Sequence, residues 1–524
     1  MGIVRYTASA DNTIVNAYEF DLKTRATGAN AGAADILEVY SLYGRISSAS
    51  QELSRALVKF PTTGIAADRT AGTIPGSGSV KFYLKLFNAQ HSETTPVEYK
   101  LNVAAINQDW EEGVGLDLVG YKDKNLGQIG SDWVQRKKGS NWSSVGGVYN
   151  ENSDYLYTQH FSSGLENLEV NITPMVERWL AGDQTNYGVG IRLSSSFEAS
   201  ASQTAVTLDS NVILNSDGAR DSYYTKRFFA RGTQYFFKRP VIEARWDSTL
   251  KDDRGNVFFS SSRAPGVDNL NTIYFYNIVR GRLVNLPGIG SSYGTFDSRI
   301  TVSLFSGSSD NSVPSGSAVF LHNTSTPKLV VTGGYVSTGI YSCSVCFTKS
   351  SGLETLYDVW FSGSKTVADA STSTKQFFTG TLSPSSYETG ITPLEPRYHI
   401  NITNLKNGYS RQETARLNLY VRDRNWSPTI YTKARRKAET ISIRSASYAV
   451  TRLIDNNLVI PYGTGSDKHT HLSYNVSGNY FDFDMSLLDK GYAYAFKFAF
   501  YDDRINSWVE QDKTFKFRVD DESS

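Results

Sequence analysis

Several stretches of this chain alternate apolar and polar residues with a period of two, and this alternation constrains the fold more than any other feature. Residues 80–86 place Val, Phe, Leu and Leu on one side and Lys, Tyr and Lys on the other. Residues 415–422 and 491–500 alternate in the same way. Successive side chains of a β-strand point to opposite faces, so the pattern predicts antiparallel strands with one face on a core.

Signals for helices are few, and the most convincing one covers residues 173–181. Thr173 can cap the first turn, Pro174 suits the first helical position, and Gly182 suits the exit. The apolar residues of this segment share one face, as expected of a short helix that covers a sheet. The sequence therefore predicts an all-β protein made of tandem antiparallel β-sandwiches, with less than a quarter of its residues in helices.

Breaks in the pattern divide the chain into four parts. Residues 1–240 are predicted to form a first β-sandwich, and 241–265 a connector or an edge strand. Residues 266–390 and 396–521 are predicted to form two immunoglobulin-like sandwiches, because each ends in a long strand that starts at Gly-Tyr and is followed by a polar turn and a shorter strand.

Charge and cysteine usage narrow the classes of partner. The chain has 53 Lys and Arg against 52 Asp and Glu, so it has no excess positive charge with which to attract nucleic acid in general. The stretch 220–254 is basic and aromatic, a mixture found in single-strand binders and in protein interfaces, and we favour the protein interface. With two cysteines and no apolar run of membrane-spanning length, we expect folding in a reducing cytosol and no contact with a membrane.

Two local motifs resemble nucleophile or metal motifs but lack their context. Ser292 lies in a Gly-Ser-Ser-Tyr-Gly segment that matches the nucleophile-elbow spacing, yet a strand pattern follows it where a helix is needed. Cys343 and Cys346 form a single C-x-x-C inside a strand pattern, and a zinc site needs a second pair of ligands. We interpret both cysteines as small buried hydrophobic residues.

Pairs of potential metal ligands also occur at strand spacing. His469 and His471 would share one face of a strand, as would Asp482 and Asp484. Neither pair has a third ligand at a recognisable spacing, so we interpret both as solvated strand faces. The sequence therefore predicts no catalytic residue, no cofactor and no bound metal, and a protein that is not an enzyme.

The connector region is the strongest candidate for an assembly contact. Its residues combine charges of both signs with one Trp, which suits a polar-rimmed contact with an aromatic anchor. The alternatives are a charged linker whose salt bridges contribute little and, for the Trp, a place in the core. The candidate contact residues are Arg245, Trp246, Asp252, Asp253 and Arg254.

Part of the first predicted domain resembles the DNRLRE (disaggregatase-related) β-sandwich family. The resemblance lies in Ser-Arg-Ala-Leu-Val-Lys-Phe at 54–60, in the strand at 80–86, and in the segments 168–179 and 186–193. It covers less than half of the chain. It implies a non-catalytic β-sandwich module of the kind associated with cell surfaces and polysaccharides.

The whole chain resembles virion structural proteins of contractile-tailed marine cyanophages. The matching segments are 25–32, 243–256, Trp-Ser-Pro-Thr-Ile-Tyr at 426–431, and 472–482. This resemblance implies a protein made in the host cytoplasm and built into the neck, tail or baseplate of the virion. Its partners would be other virion proteins and copies of itself, with a host surface glycan as a further candidate. The alternative is a carbohydrate-binding adhesin or a capsid decoration module.

Overall fold

The chain is an all-β protein, as the alternation predicts. In the computed structural model, 42% of the residues lie in strands and 8% in helices, so the expectation of less than a quarter helix is confirmed. The structure describes residues 2–90, 97–116, 120–121, 123, 130–287, 289, 300–307, 315–321, 327–350, 353–362, 366–372, 374–386, 397–427, 429–430 and 440–520.

Residues 2–247 and 465–469 form one compact unit, called here the first unit. Its strands are β1 (Ile3–Thr7), β2 (Ala10–Val15), β3 (Ile36–Tyr43), β4 (Gln51–Lys59), β5 (Lys81–Leu86), β6 (Tyr99–Ile106), β7 (Gln135–Lys137), β8 (Ser140–Asn141), β9 (Tyr149–Asn150), β10 (Leu156–Phe161), β11 (Leu168–Asn171), β12 (Val189–Leu193), β13 (Tyr223–Phe229) and β14 (Val241–Arg245). Its α-helices are α1 (Thr63–Ala71), α2 (Thr173–Ala181) and α3 (Gln203–Leu208), and Phe236–Lys238 forms a 3-10 helix.

Two sheets of the first unit face each other across an apolar core. One sheet has the order β1-β14-β5-β11; the other has the order β10-β6-β12-β4-β3-β13, with β2 on β4 and β9 on β6. Phe82 and Leu84 of β5 belong to the same buried cluster as Leu101 and Val103 of β6. The first unit is therefore a β-sandwich.

The segment predicted to be a connector or an edge strand begins as an inner strand. β14 pairs antiparallel with β1 on one side and with β5 on the other. The compact unit accordingly runs to residue 247 rather than 240. All five residues of β14 are buried, since both edges of the strand and both of its faces are covered.

The helix predicted from the sequence is confirmed as α2, with the bounds Thr173–Ala181. Gly182 ends it in the left-handed conformation, φ 82°, as a glycine after a helix usually does. The capping role expected of Thr173 is wrong. Residue Ile172 stands at the N-cap, while the Thr173 hydroxyl accepts a hydrogen bond from the N–H of Phe82 and so ties the helix to β5.

Residues 248–464 and 470–524 form the second compact unit. Its strands are β15 (Asn271–Tyr276), β16 (Ile278–Val279), β17 (Arg282–Leu283), β18 (Thr301–Phe305), β19 (Val331–Thr332), β20 (Gly334–Ser337), β21 (Ile340–Val345), β22 (Leu356–Phe361), β23 (Gln376–Leu382), β24 (Tyr398–Ile402), β25 (Gly408–Ser410), β26 (Thr414–Asp423), β27 (Ala446–Arg452), β28 (Leu458–Ile460), β29 (Ser473–Asn475), β30 (Gly478–Asp484), β31 (Tyr492–Asp502), β32 (Ser507–Glu510) and β33 (Phe515–Asp520). Its helices are α4 (Val367–Ala370) and the 3-10 helices Asp253–Gly255 and Met485–Leu487.

The second unit contains two pairs of facing sheets. In the first pair, β15-β21-β20 faces β19-β18-β22-β23, and Phe275 of β15 contacts Trp360 and Phe378 across the gap at ring separations of 5.7 and 5.2 Å. In the second pair, β24-β26-β30-β29 faces β25-β33-β31-β27-β28, with β32 on β31. The rings of Tyr448 and Phe481 stack between these two sheets at 4.5 Å. The boundaries 266–390 and 396–521 stay predictions, because both sheet pairs fall in one compact unit.

The strands with the cleanest alternation have the predicted faces. In β26, Leu417, Leu419 and Val421 are buried while the residues between them are exposed or partly exposed. In β31, Phe496 and Phe498 point into the core, as expected from the aromatic side of 491–500.

Candidate functional site

The outer face of the sheet β1-β14-β5-β11 carries a set of charged side chains that are largely buried. The strand register places Glu243 opposite Arg5 on one side and Tyr83 on the other, and it pairs Lys85 with Glu169. Arg5 Nε donates a hydrogen bond of 2.7 Å to Glu243, and Lys85 Nζ lies 3.7 Å from the same carboxylate. We call this set, together with Arg245 and Asp467, the charge cluster.

Arg245, a contact residue predicted from the sequence, is at the centre of the charge cluster. Its Nε donates to Glu243 at 2.6 Å, and its Nη2 lies 2.7 Å from Glu169 Oε1. Asp467, on the segment 465–469 of the same unit, comes within 3.8 Å of Nη1. The guanidinium also lies over the ring of Tyr83, 4.2 Å from its centroid. These contacts hold the side chain in a single position inside the first unit.

The electrostatics of the charge cluster favour fixed charges over proton transfer. Burial alone would raise the pKa of Glu243, but Lys85, Arg5 and Arg245 outweigh it and hold that pKa well below its usual range. Burial lowers the pKa of Lys85, although the carboxylates of Glu243 and Glu169 oppose that effect. A general acid or base needs a pKa near the working pH, so Glu243 is suited to holding cations in place and not to catalysis.

Three further candidates lie in the second unit, and the side chains of two of them bind neighbouring strands. Arg254 Nη1 and Nη2 donate to the two oxygens of Asp358 at 2.7 and 2.6 Å. Asp253 accepts a hydrogen bond of 2.9 Å from the hydroxyl of Tyr474. Asp252 caps the short 3-10 helix through the N–H of Arg254, and burial raises its pKa to about 6.

Trp246 directly follows β14 and is half-buried. The Trp246 ring packs against the apolar core of the first unit, and the backbone N–H of Trp246 donates to the carbonyl of Gly2 at 2.9 Å. Among the five predicted contact residues, Arg245, Asp252 and Asp253 are buried, and the Arg254 side chain is 15% exposed. These four side chains are thus used inside their own units. The hypothesis that Trp246 anchors an assembly contact stays a prediction.

The structure describes some of the motif residues and not others. Ser292 lies outside the described residues, and so does Lys-Ala-Arg-Arg-Lys at 433–437, a second basic stretch of the sequence. Cys343 is buried in the core beside Ile273 and Tyr341, as expected of a small hydrophobic residue, whereas Cys346 is half-buried just after β21. Burial raises the pKa of the Cys343 thiol to about 12.

The raised pKa of Cys343 leads to a prediction about its reactivity. In a Cys346→Ser variant, Cys343 is the only thiol, and a thiolate-specific disulfide reagent at pH 8 should leave it unmodified while the protein is folded. The same reagent should modify it after unfolding in urea. Spectrophotometric release of the leaving thiol measures both states, and rapid stoichiometric reaction of the folded variant would contradict the burial of Cys343.

The paired histidines and aspartates have different surroundings from one another. His469 is buried in the first unit with Nδ1 3.0 Å from Asp467, so its interpretation as part of a solvated strand face is wrong. Sequence spacing missed this because the residue lies on a connecting segment and not on a strand. His471 belongs to the second unit and lies against the ring of Trp508. Asp482 faces solvent from β30, as predicted, and forms an ion pair with Arg416.

A two-stranded hairpin of the second unit displays apolar side chains to solvent. Ile278 pairs with Leu283 in β16 and β17, and the turn between them has positive φ at Arg280 and Gly281, 51° and 77°. The exposed fractions of its aliphatic side chains are 62% for Ile278, 49% for Val279, 41% for Leu283 and 43% for Val284.

The base of the hairpin is fixed to a neighbouring turn. The side-chain amide of Asn277 donates to the carbonyl of Val284 at 2.6 Å, and the backbone N–H of Val284 donates to the carbonyl of Asn277 at 3.0 Å. Gly339 accepts from the N–H of Asn277 and donates to the side chain of Asn285, each at 2.8 Å. The apolar residues are therefore presented on an ordered support. This surface was not predicted from the sequence, although the apolar pairs on each side of an Arg-Gly turn are a signal for it.

Within the described ranges, no group of three or more His, Cys, Asp and Glu side chains is arranged to hold a metal ion. In that same part of the chain, no helix is both long enough and apolar enough to cross a bilayer.

Comparisons with known proteins give little similarity. No protein-family model matches the chain, and no curated protein matches it. Among solved structures, the chain is similar at 9% identity and a TM-score of 0.14 to the crystal structure of Salmonella alpha-2-macroglobulin reacted with methylamine. That alignment covers 99% of this chain, which spans about a third of the other chain's length, 34%.

Proposed function

We propose that this chain is a non-enzymatic structural protein of a phage particle, built into the neck, tail or baseplate and acting through protein–protein interfaces. The hairpin 278–283, together with Val284 directly after it, is the observation that carries the proposal. Single exposed aliphatic residues are common on soluble proteins, but an ordered hairpin on which four neighbouring aliphatic side chains are each at least 41% exposed is a feature of contact surfaces.

The energetics favour a partner that covers the hairpin. Fully burying one Val, Leu or Ile side chain contributes about 1.5–3 kcal/mol relative to leaving it in water. Ile278 and Leu283 are direct cross-strand neighbours, so one recess in a partner can take both. Because the base of the hairpin is already ordered, little conformational entropy is lost on docking.

The charges on the hairpin indicate the kind of surface that it fits. Residues 277–285 contain two arginines and no acidic residue. Protein interfaces typically combine an apolar centre with a polar rim in which Arg is enriched. The expected partner is therefore a protein with an apolar recess bordered by carboxylates, either another virion protein or a second copy of this chain. The phage setting is supported by the four segments that resemble virion proteins of cyanophages.

The test is a double substitution, Ile278→Ser with Leu283→Ser. Both side chains are exposed, so we expect the purified variant to keep the wild-type melting temperature. The contact should weaken by roughly a hundredfold or more, from the loss of two buried aliphatic groups. Particles assembled with the variant as the only source of this protein should contain much less of it, as measured by quantitative mass spectrometry.

A matched control uses exposed aliphatic residues of the same unit that lie outside the hairpin. Ile454 and Ile505 are 77% and 61% exposed, and Ile454→Ser with Ile505→Ser removes comparable apolar surface. We expect this variant to enter particles at the wild-type level. Normal incorporation of the hairpin variant, or equal losses for both variants, would contradict a role of the hairpin in assembly.

A further inference from the structure

A cleft of about 470 Å³ opens beside the end strand β24 in the second unit. One wall is formed by residues 397–400 and by Arg424, and the other by residues 509–513. This volume lies in the range of sites that bind ligands or short peptide segments. We call it the edge cleft.

The strand in the edge cleft has an open backbone edge. Among the described residues, β24 is the terminal strand of its sheet and pairs only with β26. On the side of β26, the carbonyl of Arg397 accepts a hydrogen bond from the N–H of Arg424. On the same side, the N–H of Thr403 donates to the carbonyl of Asn418. Backbone groups alternate in an antiparallel ladder, so those of Tyr398, Ile400 and Ile402 point the other way, along the edge that borders the cleft.

A lysine covers part of this edge. Lys513 Nζ donates to the carbonyl of Ile400 at 3.3 Å and to Asn401 Oδ1 at 3.2 Å. Both distances are at or beyond the long end of the range for such bonds, and the Lys513 side chain is exposed. An incoming peptide N–H can therefore replace the ammonium at the Ile400 carbonyl, provided that the ammonium gains a carboxylate in exchange.

The side chains around the edge are mainly cationic. Arg397, His399 and Arg424 are all exposed on the β24 wall. On the opposite wall the carboxylate of Glu510 accepts hydrogen bonds from Lys497 and from the hydroxyl of Tyr462, so its charge is already compensated. The cleft thus presents the exposed cations Arg424 and Lys513 to a ligand, and Asp512 is the one further carboxylate on its walls.

We propose that the edge cleft receives an extended segment of a partner protein, which adds to β24 as a new strand. Side chains of such a strand alternate between the cationic outer side, level with Arg397 and His399, and the apolar side, level with Ile400. The partner segment therefore alternates acidic and apolar residues. This inference rests on the proposed function, since it specifies the chemistry of one assembly partner.

The backbone edge is what favours a polypeptide over an acidic oligosaccharide. Both ligands carry carboxylates that can pair with Arg424 and Lys513, but only a polypeptide offers N–H and C=O groups at the spacing of a strand ladder. The two ligands therefore differ in how they respond to the loss of backbone N–H groups, and the experiment uses that difference.

The experiment measures binding of a capped nonapeptide of alternating Val and Glu to the full chain by fluorescence anisotropy. We expect saturable binding that weakens about tenfold in Arg424→Ala and in Lys513→Ala, because each removes a charge-assisted contact. Arg518→Ala is the control, since Arg518 is an exposed arginine outside the cleft. A peptide of alternating Val and Lys should not bind.

A second peptide separates strand pairing from charge attraction. N-methylation of every second amide removes the N–H groups on one edge while keeping the carboxylates, and the form methylated on the pairing edge should lose binding. Equal binding of both methylated forms, or binding of oligogalacturonate but not of the peptide, overturns the proposal. It is also overturned if Lys513→Ala binds the peptide more tightly, because Lys513 then only protects the edge. The Ile278→Ser, Leu283→Ser variant should bind the peptide normally, so that failure here is distinguishable from failure of the hairpin contact.

Discussion

Glu243→Gln should lower the free energy of unfolding of the first unit by about 3–5 kcal/mol, the usual cost of removing one partner from a buried ionic network. The carboxylate has 2% of its side chain exposed and is within ion-pair distance of Arg5, Lys85 and Arg245. Glutamine keeps the volume but not the charge. Three cations would then share a buried site with the two remaining carboxylates of the charge cluster, those of Glu169 and Asp467.

Hydrogen exchange can assign this loss to the correct unit. Peptides that cover Val241–Arg245 should exchange faster in the variant, since β14 is an inner strand whose amides open only with the sheet. The matched control is Asp482→Asn, which breaks an ion pair whose side chains are 58% and 35% exposed. Exposed pairs contribute about 0–1 kcal/mol, so this control should change little. An effect of Glu243→Gln as small as that of the control would contradict the assigned role of the cluster.

The same network predicts a pH dependence with a definite sign. The folded-state pKa of Glu243 is held well below the value of about 4.3 found in unfolded chains. The unfolded state therefore takes up the proton first, and the stabilisation is complete above about pH 4.3 and is lost as the pH falls through the folded-state pKa. The stability difference between wild type and Glu243→Gln should be largest near neutral pH and should narrow at pH 3 in urea titrations.

Strand positions and faces could be predicted where one local pattern determines them. In β26 and β31 the alternation alone identifies the buried side, because a shift by one residue would expose every apolar side chain. The bounds of α2 were also readable, since Pro174 and Gly182 restrict where that helix begins and ends. These features depend on residues that are close together in sequence.

The charge cluster was not predictable because it depends on distant segments. The alternation at 80–86 places Lys85 on the side away from the core, and that side is ordinarily in water. The structure buries Lys85 there, since β11 and β14 supply carboxylates and the segment 465–469 contributes Asp467 to the same unit. A pattern within one strand carries no information about what covers its outer face.

The edge cleft was not predictable from the sequence either, because it also depends on long-range contacts. Residues 398–402 read as an ordinary strand, and their importance comes from the position of β24 at the end of its sheet. Strand order is set by long-range pairing and turn geometry, and the local pattern does not contain it. The prediction of an edge strand was therefore directed at 241–265, whose first five residues, 241–245, the fold encloses between two neighbouring strands.

Asp358→Asn should destabilise the second unit by about 3–5 kcal/mol, an effect similar to that of Glu243→Gln in the first. Asp358 is fully buried and accepts both guanidinium bonds from Arg254, at 2.7 and 2.6 Å. It also accepts a hydrogen bond of 2.7 Å from the indole of Trp360. The neutral amide leaves the largely buried Arg254 without its counter-charge, and equilibrium urea unfolding followed by circular dichroism measures the loss.

A double-mutant cycle with Arg254→Met separates the ion pair from the rest of the site. In the Asp358→Asn background, Arg254→Met removes the stranded cation, so the double variant should be more stable than the sum of the two single effects predicts, by up to about 3 kcal/mol. Additive effects would mean that the two side chains are not coupled.

The cycle also tests the hypothesis that Arg254 is an assembly contact. If Arg254 serves to pair with Asp358 inside its own unit, Arg254→Met should lower the stability of that unit. The amount of the variant in particles should then fall only as far as the amount of folded protein falls. If Arg254→Met is as stable as the wild type and is nevertheless absent from particles, Arg254 belongs to a contact surface and its pairing with Asp358 contributes little to stability.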